Sequence, residues 1–204
     1  MLHYFIDARS WDQYFPAKET ENPFPRTLYP KQRPLSLPVG GPWQYGETDW
    51  GPLDATDQQY GGDYLVAKWV AGQLLKKQDK PFFLAVGFRK PHLPFCAPRK
   101  YWDLYDRAKI PTPVSDAHPA GAPEVALRSW KELEGYTDIP KDGQLAPGKV
   151  AELRHGYYAC VSYIDALVGR LLAEVKKIGL KEKTVICLWG DHGFHLGEQG
   201  LWAK

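Results

Sequence analysis

Two short clusters in this 204-residue sequence hold side chains suited to chemistry. The first is Gly190-Asp191-His192-Gly193, which places a carboxylate and an imidazole on neighbouring residues, a workable pair of metal ligands. The second is Lys90-Pro91-His92-Leu93-Pro94, in which two prolines restrict the backbone around one imidazole. An imidazole held in this way suits acid or base work at a leaving oxygen, and Lys90 adds positive charge for an anion contact. Each cluster also has a plainer reading. Asp191-His192 can be a surface turn, where Asp is favoured because it bonds its own backbone, a single histidine often satisfies nearby backbone groups, and a lysine is about as often simply solvated.

The elements that must position these residues are legible in the pattern around them. Thr184–Trp189 is an apolar, partly β-branched run ending at Gly190, and Pro81–Phe88 is a second such run leading into Lys90; both read as buried strands. In open α/β sheets ligands bind beyond the carboxyl ends of the strands, where both clusters would then lie. Asp63–Gln78 and Lys149–Ile178 carry apolar residues at helical spacing, the second closed by Gly179. Shorter helical pieces are expected at Arg99–Asp106 and Pro123–Leu133. Helix, strand, loops, long helix and strand point to an α/β fold with a mostly parallel sheet flanked by helices. Residues 1–62 hold many Pro, Gly and aromatic residues and read as an ordered, loop-rich excursion; residues 63–204 read as the α/β core segment.

Composition narrows the function classes. A net charge of +2 with 25% charged residues argues against a nucleic-acid coat, although local lysines can still receive an anion. No apolar run reaches the ~18 residues needed to span a membrane. The three cysteines form no CxxC; Cys160 and Cys187 are expected as core residues.

The run Gly190-Asp-His-Gly-x-x-x-Gly-Glu-x-Gly-x-Trp-x-Lys204 resembles the metal-binding and active-site segment of type I sulfatases, members of the alkaline-phosphatase superfamily, and most closely iduronate-2-sulfatases. The run from Phe82 through Lys90-Pro91-His92 to Phe95 resembles a second segment of the same proteins. The resemblance implies an alkaline-phosphatase-like α/β fold. It implies Asp191 and His192 as ligands of a divalent metal, usually Ca2+, although an imidazole suits Mn2+ or Zn2+ better. It implies Lys204 as a sulfate-binding, charge-stabilising residue, His92 as a catalytic residue beside the sulfate, and Lys90 as a further substrate contact. The implied partner is a sulfated carbohydrate or other sulfate ester, and the implied setting of the full-length family is exported, periplasmic or lysosomal.

The sequence departs from the family in one respect that matters. The family's nucleophile is a formylglycine made from Cys or Ser in Cys/Ser-x-Pro/Ala-x-Arg, and the nearest run here, Cys96-Ala97-Pro98-Arg99-Lys100, ends in lysine and follows Lys-Pro-His instead of preceding it. The paired aspartates that complete the family's metal site also have no counterpart before Lys90. The expectation is therefore an internal fragment of a sulfatase catalytic domain, incomplete as a sheet and inactive alone, with the formylglycine on a preceding part. Two other readings stay open: a phosphodiesterase or phosphonate hydrolase of the same superfamily, and a non-catalytic sulfated-glycan-binding fragment.

Overall fold

A computed structural model describes residues 9–15, 50–115, 117–127, 131–136, 138–140 and 145–204. Most of the predicted loop-rich excursion lies outside these residues. The framework is the long helix α5 (Pro147–Lys177), which starts with proline in its first turn and ends before Gly179, at φ 74°. One stripe of α5 buries Leu153, Ala159, Cys160, Tyr163 and Leu167. They pack against helix α2 (Asp63–Leu74) and a short parallel pair, β1 (Trp50–Leu53) with β2 (Phe95–Pro98). Helices α1 (Asp57–Tyr60) and α3 (Arg99–Trp102) follow β1 and β2 and close the same core. The fold is α/β, with a parallel pair and helices packed on it.

The closest approach in this core is at Gly156 of α5, where a Cβ would stand 2.8 Å from Phe95 Cβ and 3.2 Å from Phe95 O. Only glycine lets the helix lie so near β2. Gly169, on the same helix, is exposed with nothing within 4 Å of a built Cβ. Gly156→Ala should therefore lower stability by about 1–3 kcal/mol through overpacking. Gly169→Ala should raise it by about 0.5–1 kcal/mol through helix propensity. Urea denaturation of the two variants checks the pair.

The two predicted strands are not sheet strands. Residues 81–89 and 184–190 run without regular hydrogen bonding, and among the described residues no strand pairs with either. Phe83 is 80% exposed, Val185 91% and Leu188 81%. A parallel strand needs partners to satisfy its backbone and cover its faces, and neither segment has a strand partner among the described residues. Cys187, expected in the core, is exposed for the same reason, whereas Cys96 and Cys160 are buried. The parallel pairing falls instead on Trp50–Leu53 and Phe95–Pro98, one inside the expected excursion and one just past His92. Pro123–Leu133 resolves into a 3₁₀ turn at Glu124–Leu127 and a short helix, α4 (Lys131–Glu134). The chain ends in a small antiparallel pair, β3 (His195–Leu196) with β4 (Trp202–Ala203), which delivers Lys204.

Candidate active site

The loop between residue 88 and β2 carries His92, and its anchor is Asp63 at the start of α2. Both carboxylate oxygens of this buried residue accept backbone N–H groups of the loop, from Arg89 at 2.7 Å and Lys90 at 3.0 Å. Burial raises the Asp63 pKa, opposed by those two hydrogen bonds. The Lys90 side chain turns inward as well. Its ammonium is buried and donates to the carbonyls of His92, at 3.1 Å, and Pro94. Lys90 thus grips the loop on which His92 sits, and its Nζ is spent largely on carbonyl oxygens.

Three charged or titratable side chains converge at the end of this loop. His92 Nε2 lies 3.0 Å from Glu132 Oε1, and Lys204 Nζ lies 3.0 Å from Glu132 Oε2 and 3.1 Å from His92 Nε2. His92 comes from the loop before β2, Glu132 from α4 and Lys204 from the end of β4. His92 and Lys204 are 112 residues apart in sequence. His92 Nδ1 is 2.8 Å from the Leu93 carbonyl, which only accepts, so Nδ1 carries a hydrogen. Nε2 is then the nitrogen that faces Glu132 and Lys204. Protonated, it donates to Glu132; neutral, it accepts from Lys204. Phe194 packs edge-on against the His92 ring at 6.4 Å and joins Phe95 and Tyr157 in an aromatic wall.

Glu132 is the residue sequence reasoning missed. It lies in an ordinary Lys-Glu-Leu-Glu run with no spacing that marks it. The hydrogen bond from His92, followed by its charge and then by Lys204, holds the Glu132 pKa at about 2 against an ordinary 4.5. A carboxyl depressed on folding stabilises above its unfolded pKa and loses that contribution as pH falls through its folded pKa. With this carboxylate mostly shielded, the shift corresponds to at most about 3 kcal/mol. Glu132→Gln should therefore be less stable than the parent at pH 6, and the gap should close between pH 4.5 and 2. Chemical denaturation across that range tests this.

Lys204 is placed from the other side by α5. Arg154 Nη1 donates to Leu196 O at 2.9 Å and Glu198 Oε1 at 2.7 Å, while Glu198 Oε2 accepts the Leu196 N–H at 2.7 Å. This clamp fixes β3 and the turn into β4. Gly197, at φ 98°, permits the turn, and a Cβ there would stand 3.0 Å from Trp202 and from Pro113.

Asp191 and His192 lie outside this cluster. Both are exposed, with Asp191 Oδ2 3.6 Å from His192 Nε2 and Asp191 Oδ1 accepting the His192 N–H at 3.1 Å. Two neighbouring donors are too few for a resident cation, and among the described residues no group of three His, Cys, Asp or Glu is arranged to hold one. The described residues thus do not fit a complete metal site.

A family model described as Sulfatase matches residues 2–204. A sulfatase from Formosa agariphila is 35% identical over 168 residues, 79% of this chain and 32% of that protein. Human iduronate 2-sulfatase is 38% identical over 141 residues, 65% of this chain and 26% of that protein. Among solved structures, a phosphonate monoester hydrolase from Silicibacter pomeroyi shares the fold with a TM-score of 0.61 at 23% identity, over 80% of this chain and 33% of that one. The chain thus spans about a quarter to a third of the length of these proteins.

Proposed function

The chain belongs to the sulfatase family of the alkaline-phosphatase superfamily, and on that premise we propose that it supplies part of the active site of a sulfuric ester hydrolase acting on sulfated glycans. The observation that supports this reading is the convergence of His92 and Lys204 within 3.1 Å, from the two segments that carry the resemblance. Lys204 Nζ offers fixed positive charge to the non-bridging sulfate oxygens, where negative charge must be held as the ester S–O bond breaks. His92 Nε2 hands a proton to the departing alcohol oxygen, with Nδ1–H anchored on Leu93. Lys90 serves chiefly by holding the His92 loop, and any substrate contact falls to the donor it has left.

Sulfatases generally use a divalent metal, and among the described residues Asp191 and His192 are the neighbouring pair of donors this reading would offer to one. Attack on sulfur needs a nucleophile, and Cys96 is no candidate, because β2 buries it completely.

The test is hydrolysis of a generic aryl sulfate by the chain as it stands and by the chain carried with its flanking coding sequence, in calcium and after chelation. Turnover by the extended protein that falls on chelation supports the reading. Preference for an aryl phosphonate or a phosphate diester would replace it with another superfamily chemistry, and sulfated-glycan binding without turnover would replace it with a binding role.

A further inference from the structure

The Glu132 carboxylate occupies the place an anion would take between His92 and Lys204. One oxygen faces Nε2 and the other faces Nζ, each at 3.0 Å, the arrangement two oxygens of a sulfate group would adopt on the same donors. Glu132 is supplied by α4, an element of only four residues, and not by the framework of α5 and the parallel pair. Among the described residues, Glu132 is the carboxylate that pairs with His92 and Lys204, while Lys90 faces its own loop and Phe194 closes the side of the imidazole.

We propose that Glu132 is the resident anion of this site, holding His92 and Lys204 in place until a sulfate group displaces its carboxylate. The inference rests on the reading of His92 and Lys204 as sulfate contacts. A carboxylate and a sulfate compete for these donors, since two anions a few ångströms apart repel each other, and more strongly where water is excluded. Binding the substrate's sulfate therefore includes the cost of moving Glu132 aside. The carboxylate in turn ties the imidazole and the ammonium to one partner while the site is free. Small inorganic anions should for the same reason bind the parent protein weakly.

The experiment is titration of the full chain with inorganic sulfate at pH 6, followed by the histidine ring signals in NMR and by thermal unfolding. Glu132→Gln, close in shape and without charge, should bind sulfate on the order of tenfold more tightly than the parent. Its melting temperature should rise with sulfate at concentrations that leave the parent unmoved. Glu132→Ala should shift in the same direction, which covers a glutamine that packs badly. Adding Lys204→Gln to Glu132→Gln should remove the gain. If the glutamate variants bind sulfate no better than the parent while Lys204→Gln still weakens binding, the resident-anion proposal fails and the sulfate site stands. If sulfate binding is indifferent to both Lys204 and His92, the site reading fails, and the proposal with it.

Discussion

Alanine at His92 is expected to cut the hydrolysis of a sulfate ester with a poor leaving group by ~10²–10⁴-fold in kcat, the usual worth of a general acid. The size of the loss should depend on the leaving group. A nitrophenolate departs without needing a proton, whereas a sugar hydroxyl leaves badly as an alkoxide. His92→Ala should therefore cost little with a nitrophenyl sulfate and much with a sulfated sugar. Lys204→Ala should behave differently, losing ~10²–10³-fold with either substrate, because charge on the non-bridging oxygens must be held whatever departs. The measurement is kcat for both variants on both substrates, in the chain carried with its flanking coding sequence. Equal losses for His92→Ala on the two substrates would remove it from proton transfer. Because Nε2 and Nζ stand 3.1 Å apart, the double variant should lose less than the product of the single losses.

The largest effect on stability should come from Asp63→Ala. The substitution strands two N–H groups, those of Arg89 and Lys90, beneath a buried carboxylate position. Each unsatisfied buried donor costs ~1–3 kcal/mol, so a loss of about 3–5 kcal/mol is expected. At roughly 2–4 °C per kcal/mol for a chain of this size, the melting temperature should fall by ~10 °C. Asn should rescue little, since it offers one oxygen and turns an NH₂ group toward the other donor. The His92 ring signals should broaden in Asp63→Ala even where the rest of the protein stays folded, because the loop loses its anchor on α2. Sharp, unshifted His92 signals would mean that the loop is held by β2 alone.

Helix α5 was legible because thirty residues of unbroken helical spacing leave no alternative, and its glycine stop is where the left-handed turn forms. Helix α2 was legible for the same reason, though it ends at Leu74, short of the predicted Gln78. The strand readings failed because an apolar run reports what a segment would bury, not whether a neighbour is present to bury it. Thr184–Trp189 has the composition of a central strand and the surroundings of an exposed one. Trp50–Leu53 went unread because its four residues include Gly51 and Pro52, which a single sequence codes as loop. At the candidate site, the motifs singled out His92 and Lys204, and the fold brings the two side chains to 3.1 Å. Nothing in the sequence singled out Glu132, since one acidic residue among several looks solvated until the fold sets an imidazole and an ammonium beside it. Lys90 stood out by type, but its direction depended on two carbonyl groups that only the folded loop brings together.

The segments at 81–88 and 184–190, which pair with no strand among the described residues, also set a race during refolding. Packing of α2 onto α5 is an event within one molecule, and its rate does not depend on how much protein is present. Strand-to-strand pairing between two copies through these open backbones is an encounter, and its rate rises with the square of concentration. Refolding yield should accordingly fall steeply as the chain is concentrated, and the loss should begin before any change in the helical signal of α5.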